Sequence, residues 1–151
     1  MTPIDSAEHP AAGTVLAVDY GERRIGVAVG ELSLRIAHPL NTIVAGSDRE
    51  RLDRLAPLIG EWKPVLVVVG LPVHMDGREH PLALRCRQFA QKLSRRFSVP
   101  VEFIDERLTS YAAEQALEEA AVPVHRRKLA LDQIAAQTIL DTYFQAHAHP
   151  A

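Results

Sequence analysis

The order of the apolar segments along the chain constrains its fold more than any other feature. Thr14–Asp19 is an apolar run without polar alternation, which is typical of a strand buried on both faces. The turn signal Tyr20-Gly21 interrupts it, and Ile25–Val29 resumes the pattern, so the two runs predict a hairpin. Leu40–Val44 is a candidate third strand of the same sheet. The chain therefore begins with an antiparallel unit.

Helical and extended patterns alternate in the rest of the chain. The predicted elements are a helix capped by Ser47 over Asp48–Trp62, a strand over Pro64–Gly70, a helix over Pro81–Phe97, a strand over Val99–Ile104, and helices over Thr109–Ala121 and Leu129–Ala146. Strands separated by helices form parallel pairs. The order thus predicts an α/β protein with a five-stranded mixed sheet flanked by helices.

Side-chain spacing predicts which residues form the core and which face solvent. The apolar face of the second helix is expected to include Leu84, Phe89 and Leu93. Phe97, Phe103 and Tyr143 are also expected in the core, together with Phe89. Tyr20 and Tyr111 are the two aromatic residues that remain candidates for stacking on nucleic-acid bases.

Length and composition limit the class of protein. A chain of 151 residues suits one domain, here predicted over residues 14–146 between flexible tails at 1–13 and 147–151. No apolar run approaches the ~18–20 residues of a membrane span, and no secretion signal is evident. Cys86 has no cysteine partner, as is usual in a reducing cytoplasm. With a net charge of -2, nucleic-acid binding would need a local basic patch.

Two carboxylates occur where predicted strands end. Asp19 ends the first strand, at a sheet rim where α/β proteins bind ligands, although an Asp before a turn glycine is also common. Glu106 follows the last strand, and strand alternation makes it point opposite to Asp105. Taken alone, Glu106 is more simply explained as part of a solvated charge run at a strand end. Neither position identifies a site by itself.

Asp132 is the most informative carboxylate in the sequence. Its neighbours at helical spacing include Ala135, Ala136, Ile139 and Tyr143, which form an apolar stripe, so Asp132 lies on the inward face of the last helix. A buried carboxylate without a partner costs several kcal/mol. A metal ion, or an Arg or Lys partner, would offset that cost. The alternative is an Asp stabilised by the dipole at a helix N-terminus.

These three carboxylates would form an oxygen-rich metal site if they converge. Hard cations such as Mg²⁺ or Mn²⁺ prefer carboxylate oxygens, and paired ions can promote phosphodiester hydrolysis. The candidate catalytic and metal-binding residues are Asp19, Glu106 and Asp132. Their spacing in the sequence does not show that they meet.

Four blocks of sequence resemble the YqgF family, also called RuvX. They occur in family order between Val15 and Phe144 and comprise Asp19-Tyr20-Gly21 with Arg24–Ala28, Val69–Pro72 with Met75-Asp76-Gly77, Asp105–Ser110, and Asp132–Ala136 with Ile139-Leu140. The resemblance implies a ribonuclease-H-like fold related to the Holliday junction resolvase RuvC. It also implies a bacterial cytoplasmic protein that trims the 5′ end of pre-16S rRNA. The family's acidic site residues fall on the three carboxylates named above.

Two positions depart from the family pattern. Glu22 stands where relatives usually carry a small or hydroxyl residue, and His74 where a polar amide is common. An added carboxylate at Glu22 could weaken the approach of phosphate or bind another ion, and the sequence does not decide between these. Asp76-Gly77 is primarily a turn signal, so a catalytic role for Asp76 is not the preferred interpretation.

Basic residues near the predicted site are candidates for phosphate contacts. Arginine binds phosphate oxygens in a bidentate manner. The candidates are Arg24, Arg107, Arg126, Arg127 and Lys128. A solvated charge run is the alternative interpretation for the basic loop, and Arg107 could instead pair with Asp105.

Three classes of function remain open from the sequence. The preferred one is a nuclease that matures pre-16S rRNA, with a Holliday junction resolvase acting on branched DNA as its close variant. A resolvase would be expected to be a two-fold dimer, whereas an RNA nuclease could be a monomer or a homodimer. The other classes are a nucleotide-binding protein, which would need a second lobe, and an RNA-binding factor without nuclease activity.

Overall fold

The computed structural model describes residues 10–72, 81–105 and 127–147, with side chains described from residue 130 in the last of these ranges. Within these ranges the chain forms strands β1 (Thr14–Tyr20), β2 (Arg24–Glu31), β3 (Ile36–Val44), β4 (Leu66–Leu71) and β5 (Val101–Asp105), and helices α1 (Asp48–Trp62), α2 (Leu82–Phe97) and α3 (Arg127–Ala146). The predicted order of elements is confirmed wherever the structure describes the chain. The predicted helix over Thr109–Ala121 lies outside the described residues.

The five strands form one mixed sheet in the order β3-β2-β1-β4-β5. β1 pairs antiparallel with β2, and β2 antiparallel with β3. β4 runs parallel to both β1 and β5. Helices α1 and α2 provide the crossovers that parallel strands require. The carboxyl ends of β1, β4 and β5 therefore lie at the same end of the sheet.

Each face of the sheet has its own core. On one face, Val18 and Val69 pack with Leu55 of α1 and Phe89 of α2. On the other face, Ala17, Val68 and Ala28 pack with residues of α3 that include Ile139 and Leu140. Burial on both faces explains why β1 and β4 are continuous apolar runs rather than alternating ones.

The ends of α1 follow local capping chemistry. The Ser47 side chain accepts a hydrogen bond from the backbone N–H of Glu50, so the predicted N-cap is confirmed. The helix ends at Lys63, which adopts a left-handed conformation with φ 46°, and its N–H donates to the carbonyl of Ile59.

Several predictions about single side chains are wrong. Leu84 is 63% exposed, because α2 buries the smaller Ala83 and Cys86 beside Phe89 and Leu93 instead. Phe103 is 37% exposed, since β5 is an edge strand of the sheet. Tyr20 is buried and not available for base stacking, and its ring lies 5.0 Å from that of Phe89.

Several element boundaries also differ from the predictions, by one to four residues. β3 begins at Ile36 rather than Leu40, because Ile36 pairs with Glu31 of the neighbouring strand. α3 begins at Arg127, which places Arg127 and Lys128 in its first turn instead of in the preceding loop. In the described part of the chain, no helix has both the length and the apolar character to cross a membrane.

Candidate functional site

Asp19 lies near the carboxyl end of β1 between two glycines. It is opposite Gly26 of β2 on one side and Gly70 of β4 on the other. Strand alternation puts Asp19 on the same face as Val15 and Ala17, which pack against α3. Because neither flanking glycine carries a side chain, no side chain of an adjacent strand lies directly beside this carboxylate.

Gly26 brings α3 to the same point. A Cβ atom added at Gly26 would lie 1.7 Å from the carbonyl oxygen of Asp132, so the helix backbone occupies the space that a side chain would take. Residues directly opposite on antiparallel strands are about 4.5–5.5 Å apart between Cα atoms. Asp19 and Asp132, 113 positions apart in the sequence numbering, thus share Gly26 as an immediate neighbour on one face of the sheet.

Asp132 faces inward, as predicted, and its partner is an arginine. The Arg24 side chain donates from Nε to Oδ2 of Asp132 at 2.7 Å, and the Asp132 side chain is only 17% exposed. Arg24 was predicted to contact phosphate. The structure places it in the site, with its guanidinium bonded to a carboxylate.

The environment of Asp132 disfavours its charged form. Burial raises the pKa of Asp132 above the usual range of an aspartate, and the hydrogen bond and positive charge of Arg24 oppose that rise. A partly desolvated carboxylate of this kind gains from additional positive charge nearby. The site is therefore suited to a cationic ligand.

An open depression of about 240 Å³ leads to this position. It is lined by Gly21, Glu22, Arg23, Arg24 and Asp132. Glu22 is at the outer side, with a carboxylate oxygen 3.7 Å from Arg85 of α2, and both side chains are more than half exposed. The added carboxylate therefore lies at the rim of the depression, beside a positive charge.

The remaining predicted site residues are described only in part. Glu106, Arg107, Arg126, His74 and Asp76 lie outside the described residues. For Arg127 and Lys128 the structure gives a place in the first turn of α3 but no side chain. Among the residues that the structure does describe, no three His, Cys, Asp or Glu side chains are grouped to hold a metal.

The last described residues of β5 alternate between the two faces of the sheet. Asp105 is opposite Leu71 of β4, and Val101, which shares its face, packs on the side of α1 and α2. Ile104 packs on the side of α3, the face on which strand alternation also puts Asp19. Glu106 follows Asp105 and lies outside the described residues, so its place beside Asp19 and Asp132 stays a prediction.

Two residues close to the candidate site or to the turn beside it were not identified from the sequence. Gly26 is inside a strand, and such glycines often mark a close backbone approach. Arg51 is buried beneath the β1–β2 turn. The signal for Arg51 was its place four and seven residues before Leu55 and Leu58, inside the apolar stripe of α1.

Comparison with known proteins identifies a family and a fold. Residues 13–146 match the family described as RuvX, Holliday junction resolvase. A proposed pre-16S rRNA nuclease of Nitrosospira multiformis is 54% identical over 144 residues, which cover 95% of each chain. One of Neisseria meningitidis serogroup B is 49% identical over 133 residues, 88% of each chain.

Solved structures of junction resolvases share the architecture. RuvC of T. thermophilus, in complex with a Holliday junction substrate, matches with a TM-score of 0.57 and 17% identity, covering 89% of this chain and 94% of RuvC. The Fowlpox virus resolvase in complex with Holliday junction DNA matches with a TM-score of 0.55 and 10% identity, covering 90% of this chain and 99% of the resolvase. At such low identity these similarities show the ribonuclease-H-like fold alone.

Proposed function

This chain belongs to the RuvX family of nucleases, and we propose that it hydrolyses phosphodiester bonds at the 5′ end of pre-16S rRNA with the help of divalent cations. We assign the binding of those cations to Asp19, Glu106 and Asp132. The observation that carries the proposal is the convergence of Asp19 and Asp132 beside Gly26 on one face of the sheet. The RNA substrate is supported by the names of the relatives that cover nearly the whole chain.

The donor atoms suit Mg²⁺ or Mn²⁺. The site offers carboxylate oxygens, and Asp132 is sufficiently buried that a second positive charge would stabilise its ionised form. Asp19 has no neighbouring side chain at Gly70 of β4, and on the side of Gly26 it has the backbone of Asp132 as a neighbour. When bound, a divalent cation neutralises the negative charge that builds up on a phosphate during hydrolysis.

The residues of the chain itself hold and orient the substrate. Arg24 fixes the direction of the Asp132 carboxylate through the 2.7 Å hydrogen bond, and its guanidinium is of the type that phosphate oxygens bind. Arg107, Arg126, Arg127 and Lys128 complete our proposed set of phosphate contacts. The open depression gives the nucleic acid access to the site.

A junction-resolving DNase is the second candidate function. It is favoured by the description of the family itself as a Holliday junction resolvase. A resolvase that cuts two strands symmetrically requires two sites related by a two-fold axis, and hence a homodimer. A monomeric enzyme with the same site would act on single phosphodiester positions, as expected for rRNA maturation in the cytoplasm.

The experiment that separates these candidates is a cleavage assay with both substrates. The purified chain is incubated with a 5′-extended 16S rRNA fragment or a four-way DNA junction, in Mg²⁺ or in EDTA. We expect cation-dependent cleavage of the RNA. Preferential cleavage of the junction would replace the first candidate with the second, and no cleavage of either substrate would contradict both.

Matched variants test the site in the same assay. Asp19→Asn should abolish cleavage while leaving the fold and RNA binding largely intact, because it removes the negative charge that a cation needs. Asp53→Asn is the control, since Asp53 is an exposed residue of α1 that pairs with Arg96. Equal activity of Asp19→Asn and the unmodified chain would remove Asp19 from the mechanism.

A further inference from the structure

Arg51 is a buried charged side chain, whereas most arginines lie at the protein surface. It lies on α1 and is 1% exposed, and it is the one polar or charged residue among the buried ones that the structure describes. Its Nε atom has no hydrogen-bond partner in the described structure. A buried cation that is incompletely bonded carries a cost in folding free energy.

The contacts of Arg51 point to the turn between β1 and β2. One guanidinium nitrogen donates to the backbone carbonyl of Glu22, which lies in that turn. The other donates to Oδ1 of Asp48 at 2.8 Å, and the guanidinium lies 5.2 Å from the centre of the Tyr20 ring. The Tyr20 hydroxyl donates to the same Asp48 oxygen at 3.1 Å. Arg51 thereby joins α1 to both the last residue of β1 and the turn that follows it.

Both ends of this turn lead directly into the candidate site. Tyr20 follows Asp19 in β1, and Arg24, the first residue of β2, forms the ion pair with Asp132. The turn is also held by the hydrogen bond from the N–H of Ala45 to the carbonyl of Arg23 at 3.0 Å and by the ion pair of Glu22 with Arg85 at 3.7 Å. The position of the turn thus sets where Arg24 stands relative to Asp132.

Stability alone does not account for an arginine here. Replacing buried ion pairs by apolar residues of similar volume is often neutral or stabilising in proteins. The surrounding positions of α1, Leu52 and Leu55, show that this face accepts aliphatic side chains. What an aliphatic residue cannot supply is the hydrogen bond to the Glu22 carbonyl and the link to Asp48.

We propose that Arg51 is a positioning residue for the nuclease reaction, which holds the Gly21–Arg24 turn from the opposite face of the sheet so that Arg24 stays aligned on Asp132. This inference rests on the proposed function. Arg51 itself does not reach the substrate, because it is buried on the side of α1 and α2 and the carboxylates lie on the side of α3.

The kinetic test uses Arg51→Met and Arg51→Lys in the cleavage assay. If Arg24 is no longer aligned on Asp132, the chemical step slows. We therefore expect Arg51→Met to lower kcat by about 10- to 100-fold. KM should change by no more than about twofold, since phosphate-binding groups remain. Arg51→Lys keeps the charge and one donor, and should recover part of kcat. If Arg51→Met does not fold, the kcat of Arg51→Lys relative to that of the unmodified chain still tests the positioning role.

Arg96→Met is the matched control. Arg96 likewise pairs with an aspartate of α1, Asp53, at 2.7 Å, but it lies in the last turn of α2, at the end of the sheet away from the site. We expect its kcat to stay close to that of the unmodified chain. An equal loss of kcat in Arg96→Met and Arg51→Met would overturn the positioning role, because it would reflect weakened helix packing.

Amide hydrogen exchange tests the role of Arg51 independently of the proposed nuclease activity. Amides of Gly21–Arg24, and that of Ala45, should exchange faster in Arg51→Met, whereas amides in the middle of β1 and β4 should not change. This readout needs no substrate and therefore decides the inference even if the unmodified chain cuts neither RNA nor DNA. Unchanged exchange in the turn would overturn it.

Discussion

Gly26 is a point of close backbone contact between the sheet and α3. An alanine there would place its Cβ 1.7 Å from the carbonyl oxygen of Asp132, so the start of α3 would have to move away from β2. Overpacking of this kind commonly costs about 1–3 kcal/mol of stability. We predict that Gly26→Ala also lowers kcat by about 100-fold, because the shift separates Asp132 from Asp19.

Gly46→Ala provides the control for that measurement. A Cβ at Gly46 meets nothing within 4 Å, so the same chemical change is made in open space. The test is to compare the cleavage rates of the two variants and their stabilities in urea denaturation. A folded Gly26→Ala protein with the activity of Gly46→Ala would show that the close approach of α3 is not needed for the reaction.

Asp132 gives a prediction about pH. Since burial raises its pKa in the folded protein, folding takes up a proton at this carboxyl near the ordinary Asp pKa of about 3.9. The contribution of Asp132 to stability is therefore most favourable below that pKa and is lost as pH rises through the folded value. Asn removes the charge and keeps an acceptor for Arg24.

We therefore predict that Asp132→Asn becomes more stable relative to the unmodified chain as pH rises from about 3 to about 7. The measurement is urea denaturation of both proteins across that range, with EDTA present so that no cation binds. A stability difference that is constant with pH, or that changes in the opposite direction, would contradict the desolvation of Asp132.

At the scale of elements, α1 offers a test of intrinsic helix stability. Gly60 lies inside the helix, and a Cβ there would meet nothing within 4 Å. Alanine is favoured over glycine in a helix interior by about 0.5–1 kcal/mol. We expect Gly60→Ala to raise the free energy of unfolding by that amount with unchanged cleavage. A loss of stability in urea denaturation would mean that the glycine has a role the contacts do not show.

The elements were predictable from the sequence because local signals agree with the tertiary structure. The bounds of α1 follow from Ser47 as N-cap and from the spacing of Leu52 and Leu55. The apolar runs of β1 and β4 predict strands buried on both faces, and the sheet has helices on both faces. Helix capping and hydrophobic periodicity depend on residues that are close together in the chain. They can therefore be recognised in a single sequence.

Burial of individual side chains was less predictable, because it depends on which element lies opposite. Helical spacing allows Leu84 on the apolar face of α2, but the helix is rotated so that Cys86 is buried. Phe103 is exposed because β5 is at the sheet edge. The position of Asp19 beside Gly26 likewise depends on the register of β1 with β2, which sequence spacing does not contain.

At the scale of the whole molecule, a net charge of -2 means that nucleic acid must be bound by a local basic surface. Arg127 begins α3 five residues before Asp132, about 7.5 Å along the helix axis. We predict that Arg126→Ala with Arg127→Ala reduces the slope of log affinity against log salt by about 1–2. The measurement is RNA binding by fluorescence anisotropy over a range of salt concentrations.

Arg95→Ala with Arg96→Ala is the matched control for charge. These two arginines are in the last turn of α2, which leads to the start of β5. They therefore lie at the end of the sheet opposite the site. The double variant changes the net charge equally and should leave the slope close to that of the unmodified chain. An unchanged slope for the Arg126 and Arg127 variant would exclude these residues from phosphate binding.

The most direct measurement of the central claim is the anomalous scattering of Mn²⁺ in crystals of the chain soaked with manganese. If Asp19 and Asp132 hold a cation, an anomalous peak will lie between their carboxyl groups, and the same soak of Asp19→Asn crystals will lack it. Manganese bound elsewhere, with the two carboxyl groups turned apart and no peak between them, would contradict the account.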